Sequence, residues 1–170
     1  MSKIVTVLVG PPCSGKSTYL KTLDYDFVIS SDDIVEVLCR QHSLQYHQYF
    51  KLPSDHFLIE QHNKIFNELV VKSHEYDHVV WDLTNLTRKS RAKIFAHYPS
   101  ALFRAVVFRD ISQGQSKQDK HSFERLLLER NQARFRRNGK FVDEAILKKM
   151  VKKFEMVDKS EGFTEINVIG

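Results

Sequence analysis

The chain has 170 residues, of which 42% are hydrophobic and 28% charged, a composition typical of one globular domain. No apolar run approaches the roughly 20 residues that span a bilayer and no signal-peptide pattern precedes the first apolar run, so the sequence predicts a cytoplasmic protein without a membrane partner. The net charge is +5, but residues 1–85 carry 7 Lys/Arg against 11 Asp/Glu and residues 86–170 carry 19 against 10, so the basic half is expected to face an anionic partner.

Strands and helices alternate along the chain. In chain order the sequence predicts a strand at 4–9, a helix from near 16, a strand at 27–29, a helix to about 40, a helix at 54–73, strands at 78–81 and 102–108 around a helix at 88–96, helices at 122–136 and 143–157, and a strand at 164–169. This alternation predicts an α/β fold with three layers and a mostly parallel five-stranded sheet, in one domain over residues 1–170.

Three details of this assignment rest on weaker patterns. Residues 41–53 are rich in aromatic residues and histidine but have no clear period, which favours a loop or an irregular helix. Residues 112–120 are polar and predict a loop. Ser54 is the expected cap of the helix that follows it.

A phosphate-binding loop is the most specific motif of the chain. Gly10 to Ser17 match G-x-x-x-x-G-K-[ST] between a predicted strand and a predicted helix. Gly10 and Gly15 are expected to adopt backbone angles that a side chain would forbid, so that the N–H groups of the loop point at a phosphate near the positive end of the helix dipole. Lys16 is expected to reach the β- and γ-phosphates, and Ser17 to bind a Mg²⁺ ion that bridges them.

The motif therefore predicts binding of ATP, or another nucleoside triphosphate, together with Mg²⁺. The residues expected to contact the nucleotide from this loop are Gly10, Pro12, Cys13, Ser14, Gly15, Lys16, Ser17 and Thr18. Because Cys13 lies beside a helix N-terminus, its thiol is expected to ionise more readily than a free thiol.

Acidic residues follow two of the predicted strands. The carboxyl ends of parallel strands share one edge of the sheet, so Asp32, Asp33 and Asp82 are expected to lie near the phosphate loop. A kinase needs a carboxylate that accepts the proton of the attacking hydroxyl, and Asp32 is the preferred residue. Helix capping is an equal alternative for both Asp32 and Asp33. Asp82 is expected to orient Mg²⁺ or its waters, and the alternative is a cap on the next turn.

A basic segment at about residues 121–140 predicts a helical lid. Arg130 and Arg134 are four residues apart on one helical face, where two positive charges repel each other unless an anion lies between them. Both arginines are therefore expected to grip the triphosphate and stabilise the transition state, with Arg134 counted among the catalytic residues. The alternative is a surface helix whose arginines are solvated.

These motifs together resemble those of the phage and bacterial polynucleotide 5′-kinase family over roughly residues 3–155. The matching segments are Gly10–Ser17 with the family's G-x-P-x-S-G-K-S loop, Ser31-Asp32 with its Ser/Arg-Asp motif, Asp82–Asn85 with D-x-T-N, and Arg130–Arg134 with R-N-x-x-R. The resemblance implies a P-loop kinase fold and transfer of the γ-phosphate of ATP to the 5′-hydroxyl end of RNA or DNA, in nucleic-acid end healing. It also favours Asp32 over Asp33 as the general base.

The chain departs from this family's pattern at one position. Family members commonly carry an arginine three residues after the general base, where it helps to hold the acceptor's 3′-phosphate, and this chain has Val35 there. The candidate substitutes are Arg40 and the cluster of Arg88, Lys89 and Arg91.

Two other classes of function fit the same motifs. A phosphate loop does not identify the acceptor, so a kinase of a small molecule such as a nucleoside or another metabolite is an alternative. A binding module that is gated by nucleotide but catalyses no transfer is the second.

Overall fold

The computed structural model describes residues 2–109 and 117–170, with the backbone alone for residues 117–120. Its five strands are β1 (Ile4–Val9), β2 (Phe27–Ser30), β3 (His78–Asp82), β4 (Leu102–Phe108) and β5 (Glu165–Ile169). They form one sheet in the order β2-β3-β1-β4-β5, in which every neighbouring pair is parallel. The predicted α/β fold with a five-stranded sheet is confirmed.

Helices cover both faces of this sheet. Within the described residues they are α1 (Lys16–Leu20), α2 (Ser31–Gln41), α3 (Tyr46–Tyr49), α4 (Phe57–Ser73), α5 (Arg88–His97), α6 (Lys117–Asn138) and α7 (Glu144–Lys153), with a short 3-10 turn at Lys159–Glu161. In the part of the chain that the structure covers, no helix combines the length and the apolar character that crossing a bilayer requires.

The central strand β1 is buried on both of its faces. Val5, Val7 and Val9 pack into the larger core on one face, while Leu8 packs with Val80 into the core on the other. A strand covered by helices on both sides has a nearly continuous apolar sequence. This explains why the ends of β1 were predictable to the residue. Because β1 is fixed so firmly, the loop that follows it leaves the sheet at a defined point of the carboxyl edge.

Several helix ends differ from the prediction. α4 begins at Phe57, and its cap is His56, whose Nδ1 accepts a hydrogen bond of 3.2 Å from the backbone N–H of Leu58; Ser54 does not cap it. α7 ends at Lys153 because the next residues are extended and the backbone N–H of Glu155 donates to the carbonyl of Leu86.

Residues 41–53, predicted as a loop or an irregular helix, and residues 112–120, predicted as a loop, both contain helix. Residues 41–53 include the single turn α3, which is closed by a capping box between Gln45 and Gln48 and anchored by the buried Tyr49. Residues 117–120, predicted as loop, form the first turn of α6, whereas residues 112–116 of that predicted loop lie outside the described residues.

Candidate active site

The loop after β1 curls in the manner that binds phosphate. Gly15 has a φ of 106° at the start of α1, a conformation that glycine adopts without strain, and Cys13 has a φ of 66°. Gly10 is not among the described glycines with a positive φ, so the prediction that it adopts backbone angles forbidden to other residues is wrong. Glycine is required there for space, because a Cβ atom would lie 2.6 Å from Ser14 Oγ and 2.9 Å from Phe108 Cβ.

The Lys16 ammonium lies inside this loop. Its Nζ donates hydrogen bonds of 2.8 Å to the carbonyl of Gly10 and 3.0 Å to that of Pro11. Burial lowers the pKa of Lys16 to about 8, while the carboxylates of Asp82 and Asp32 act in the opposite direction. Asp82 at the end of β3 lies in register with Leu8 in β1 and with Ser30 in β2, so the acidic residues and the loop lie at one edge of the sheet, as the sequence predicts.

Polar groups that could bind a phosphate surround the loop. The Oγ of Ser14 is buried and has no hydrogen-bond partner among the described residues, and the same is true of Nη2 of Arg134. Buried donors without partners are costly and call for an explanation, which an anionic ligand supplies. Ser17 and Thr18 are exposed at the start of α1, where the helix dipole favours anions.

The Asp32 side chain does not cap α2. Ser30 is the cap, since its Oγ accepts a hydrogen bond of 3.2 Å from the backbone N–H of Asp33. The Asp32 carboxylate turns instead toward Tyr46 and Lys140: Tyr46 donates its hydroxyl to one oxygen and Lys140 its ammonium to the other. The side-chain capping role that was open for Asp32 and Asp33 therefore belongs to Ser30.

Tyr46, Lys140 and Glu36 complete a cluster around Asp32 that sequence reasoning missed. Lys140 also contacts the carboxylate of Glu36, and its ammonium lies 4.5 Å from the centroid of the Tyr46 ring. Burial, followed by the charge of Asp32, raises the pKa of Tyr46, so its hydroxyl stays protonated and can donate. Tyr46 and Lys140 are 14 and 108 residues from Asp32, so no local pattern could reveal these contacts.

Helix α6, which contains most of the predicted lid, packs on the phosphate loop. Arg130 donates from Nη1 to the carbonyl of Cys13 at 3.2 Å, and Arg134 donates from Nε to the carbonyl of Lys140 at 3.2 Å. Asn131 lies between them in sequence, is buried, and exchanges hydrogen bonds of 2.7 and 3.0 Å with the backbone of Val142. The helix is therefore held so that both arginines lie at the loop and at the Asp32 cluster.

The last residue of β3 and the residues that follow this strand have two different roles. Burial raises the pKa of Asp82, and the charge of Lys16 opposes this shift. Asn85 is buried and donates from Nδ2 to the carbonyl of Leu8 at 2.8 Å, while the carbonyl of Thr84 accepts from the backbone of Gly10. Thr84 and Asn85, the last two residues of the D-x-T-N segment, therefore hold the start of the loop.

The prediction for the Cys13 thiol is wrong. Burial raises its pKa, and this outweighs the opposing charges of Arg134 and Lys16. We expect iodoacetamide to alkylate Cys13 at pH 7.5 more slowly than it alkylates free cysteine, because little thiolate is present. Mass spectrometry of a Cys39→Ser variant, in which Cys13 is the one remaining cysteine, measures this rate. Alkylation faster than that of free cysteine would contradict the burial argument.

Arg91 is not available to an acceptor, although the sequence makes it a candidate. Its side chain is 0% exposed and forms a two-point ion pair with Glu161, from Nε at 2.7 Å and from Nη2 at 2.9 Å. The remaining donors bind backbone carbonyls of Asn85, Glu155 and Met156. Arg91 therefore joins α5 to the segment that precedes β5.

Loss of this buried ion pair should destabilise the fold. In an Arg91→Met variant the Glu161 carboxylate stays buried without its partner, so we expect the free energy of unfolding to fall by about 3–5 kcal/mol. Urea unfolding followed by circular dichroism measures the change. The matched control is Arg88→Met at the exposed neighbouring arginine, for which we expect a change of about 0.5 kcal/mol or less. Equal stabilities of the two variants would disprove the structural role of Arg91.

The geometry defines the class of protein. A parallel sheet with β1 at its centre, a phosphate loop between β1 and α1, and a basic helix packed on that loop form a P-loop fold of the kinase type. A family model described as an AAA domain matches residues 5–157, and the chain belongs to this family. No curated protein sequence matches the chain.

Solved structures of low sequence identity share the fold. One belongs to a Pnkp1/Rnl/Hen1 RNA repair complex, with 20% identity and a TM-score of 0.64 over 89% of this chain. This chain spans 44% of that protein's length. Another is Kti12 from Chaetomium thermophilum in complex with ADP-AlF3, with 15% identity and a TM-score of 0.58, covering 97% of this chain and 88% of the other. At the level of fold, these matches confirm the resemblance found in the sequence.

Proposed function

We propose that the chain transfers the γ-phosphate of ATP to the 5′-hydroxyl end of a polynucleotide. The observation that carries this proposal is the position of Asp32, which follows β2 at the same edge of the sheet at which the phosphate loop leaves β1 and which Lys140 contacts from the end of the lid. A carboxylate at this edge, with a lysine beside it, suits the activation of a hydroxyl that belongs to an anionic acceptor. The similarity in fold to a protein of an RNA repair complex supports this choice of acceptor.

Each of the site residues has one role in the proposed reaction. The acceptor hydroxyl donates a hydrogen bond to Asp32, its oxygen forms a bond to the γ-phosphorus, and the proton passes to the carboxylate. The bond between that phosphorus and the bridging oxygen breaks, and ADP leaves. Lys16 and Arg134 balance the charge on the transferred group, and Arg130 holds the donor at the mouth of the loop.

The residues present fit ATP and Mg²⁺. Ser14 and Arg134 each offer a buried donor that lacks a partner within the described residues, as an anionic ligand would require. The exposed Ser17 hydroxyl and the carboxylate of Asp82 would hold Mg²⁺, since this ion prefers oxygen ligands and usually keeps several waters. When bound, Mg²⁺ would neutralise the negative charge that develops on the phosphate groups during transfer.

The Asp32 carboxylate can accept a further hydrogen bond. Tyr46 donates to one of its oxygens and Lys140 to the other, and the side chain is 42% exposed. Because each carboxylate oxygen has a second lone pair, the acceptor hydroxyl can donate to Asp32 while both partners stay in place.

A panel of acceptors tests the proposed function. The panel consists of 5′-hydroxyl RNA and DNA oligonucleotides, free nucleosides and a sugar acid, each incubated with ATP labelled in its γ-phosphate. We expect kcat/KM to be highest for the oligonucleotides and their KM to rise with salt, because phosphate contacts release counterions. Transfer to nucleosides or the sugar acid with equal or higher efficiency would instead establish the small-molecule kinase. Tight ATP binding without any labelled product would establish the binding module.

A further inference from the structure

Lys140 reaches the Asp32 cluster from the turn that follows helix α6. Gly139 comes directly after the helix with a φ of 73°, and its backbone N–H donates a hydrogen bond of 2.8 Å to the carbonyl of Phe135. A residue in this left-handed conformation ends a helix and turns the chain away from its axis. The next residue is Lys140, whose ammonium contacts α2 at Asp32, 108 residues earlier in the sequence.

The Lys140 ammonium lies between two carboxylates. Asp32 and Glu36 are four residues apart on α2, so they lie on one face of the helix, where like charges repel each other. Lys140 contacts both carboxylates and offsets this repulsion. Its side chain is only 16% exposed, so solvent screens these contacts less than those of a surface ion pair.

The ammonium is also held by an aromatic ring. A lysine ammonium has three N–H donors, and Lys140 uses two of them on the carboxylates. Its Nζ lies 4.5 Å from the centroid of the Tyr46 ring, a distance at which a cation is attracted to the ring face. The hydroxyl of the same Tyr46 donates to the other oxygen of Asp32. The Asp32 carboxylate is therefore fixed at both of its oxygens.

The segment that carries Lys140 also positions Arg134, which is proposed to bind the transferred phosphate. Arg134 donates from Nε to the backbone carbonyl of Lys140 at 3.2 Å, and its buried Nη2 has no partner among the described residues. Asn131 closes the segment, since its side chain exchanges hydrogen bonds with the backbone of Val142. One stretch of chain therefore places a guanidinium for the donor phosphate and an ammonium for the base.

We propose that Lys140 is a positioning residue for the general base. Its ammonium holds the Asp32 carboxylate in the orientation that meets an acceptor hydroxyl, and the hydrogen bond from Arg134 ties this orientation to the residue that binds the transferred phosphate. Lys140 thus acts on the reaction through Asp32. This inference rests on the part of the proposed function that makes Asp32 the base.

Transfer kinetics of two Lys140 variants test the inference. Lys140→Met keeps the length of the side chain and the backbone carbonyl that binds Arg134, but removes the ammonium. We expect its kcat to fall about 10- to 100-fold, because a small displacement of a catalytic group is costly. Its affinity for ATP should stay the same, since the contacts of the phosphate loop are unchanged. Lys140→Arg keeps the charge and should recover most of the lost rate.

A second background separates a positioning role from a structural one. In Asp32→Asn the base is absent, so there is no carboxylate for Lys140 to orient. Lys140→Met should therefore cost nothing further when it is added to Asp32→Asn. A general weakening of the fold would instead lower kcat by the same factor in both backgrounds.

Arg137→Met is the matched control for the loss of charge. Arg137 is exposed in the last turn of α6, three residues before Lys140, so its replacement removes one positive charge from the same region. Weaker attraction of an anionic acceptor raises the KM of that acceptor in this variant. We expect its kcat to match that of the wild type, because Arg137 lies outside the Asp32 cluster.

Two results would overturn the inference: a wild-type kcat in Lys140→Met, with any loss confined to the KM of the acceptor, or an equal loss of kcat in the wild-type and Asp32→Asn backgrounds. The acceptor separates this failure from failure of the proposed function. If label reaches a nucleoside or the sugar acid but no oligonucleotide, the proposed function fails and the same variants are compared on that acceptor. If oligonucleotides are labelled and Lys140→Met is normal, the inference alone fails. If nothing is labelled, there is no base to position and both fail.

Discussion

Replacement of Asp32 by asparagine should lower kcat for transfer to a 5′-hydroxyl oligonucleotide by about 100- to 10,000-fold, the usual contribution of a general base. Asparagine keeps the size of the side chain and can still accept a hydrogen bond from Tyr46, but it cannot take a proton. We expect the affinity for ATP to change little, because Lys16 binds the loop carbonyls and does not depend on Asp32 for its position. Steady-state kinetics with labelled ATP, together with ATP titration, measure both quantities.

Asp33→Asn is the matched control for this experiment. Asp33 is the neighbouring residue, is exposed, and contacts Ser30 through its backbone N–H. We expect this variant to keep kcat within a few-fold of the wild-type value, since only a modest interaction with the helix dipole is lost. A large loss in Asp33→Asn with normal activity in Asp32→Asn would move the base to the other aspartate.

Replacement of Arg134 by lysine should lower kcat by about 1,000-fold, at the lower end of the range for arginines that stabilise phosphoryl transfer. Lysine keeps the charge but loses the planar fork that can bind two phosphate oxygens at once. Arg134 already uses Nε to bind the carbonyl of Lys140, and its buried Nη2 has no partner among the described residues, so it is positioned to receive an anion. Single-turnover measurements at saturating ATP report this loss directly.

Arg125→Lys provides the control on the same helix. Arg125 is exposed and pairs with Glu129 at 3.0 Å, an interaction that contributes little to stability. We expect its kcat to equal that of the wild type. If Arg134→Lys and Arg125→Lys both retain full activity, the lid stabilises no charge in the transition state, and α6 is an ordinary surface helix.

The fold could be predicted from the sequence because its signals are local. A strand such as β1, buried on both faces, is apolar apart from Thr6, and the phosphate loop marks where it ends. The errors fall where a local pattern competes with a tertiary contact. α4 starts three residues after the predicted Ser54 because His56 provides the cap, and α7 stops at Lys153 because Glu155 pairs with the backbone of Leu86.

The site was only partly predictable, for the same reason. The motif residues follow strands whose carboxyl ends must meet at one edge, so the approach of Asp32 and Asp82 to Lys16 followed from topology. The partners of Asp32 come from α3 and from the end of the lid, and their side chains meet it through contacts that no spacing encodes. Arg91 shows the converse error, because a basic residue in the basic half of the chain can be buried with its donors bound inside the fold, here by Glu161 and three backbone carbonyls.

The most direct test is the location of the transferred phosphate. Wild-type protein and Asp32→Asn are incubated with γ-labelled ATP and a single-stranded 5′-hydroxyl oligonucleotide, and the product is digested to mononucleotides. Label should appear on the 5′-terminal nucleotide with the wild type and be nearly absent with the variant. Label that stays in ATP or is released as inorganic phosphate, or that reaches the terminal nucleotide at equal rates with both proteins, would contradict phosphorylation of a strand end by way of Asp32.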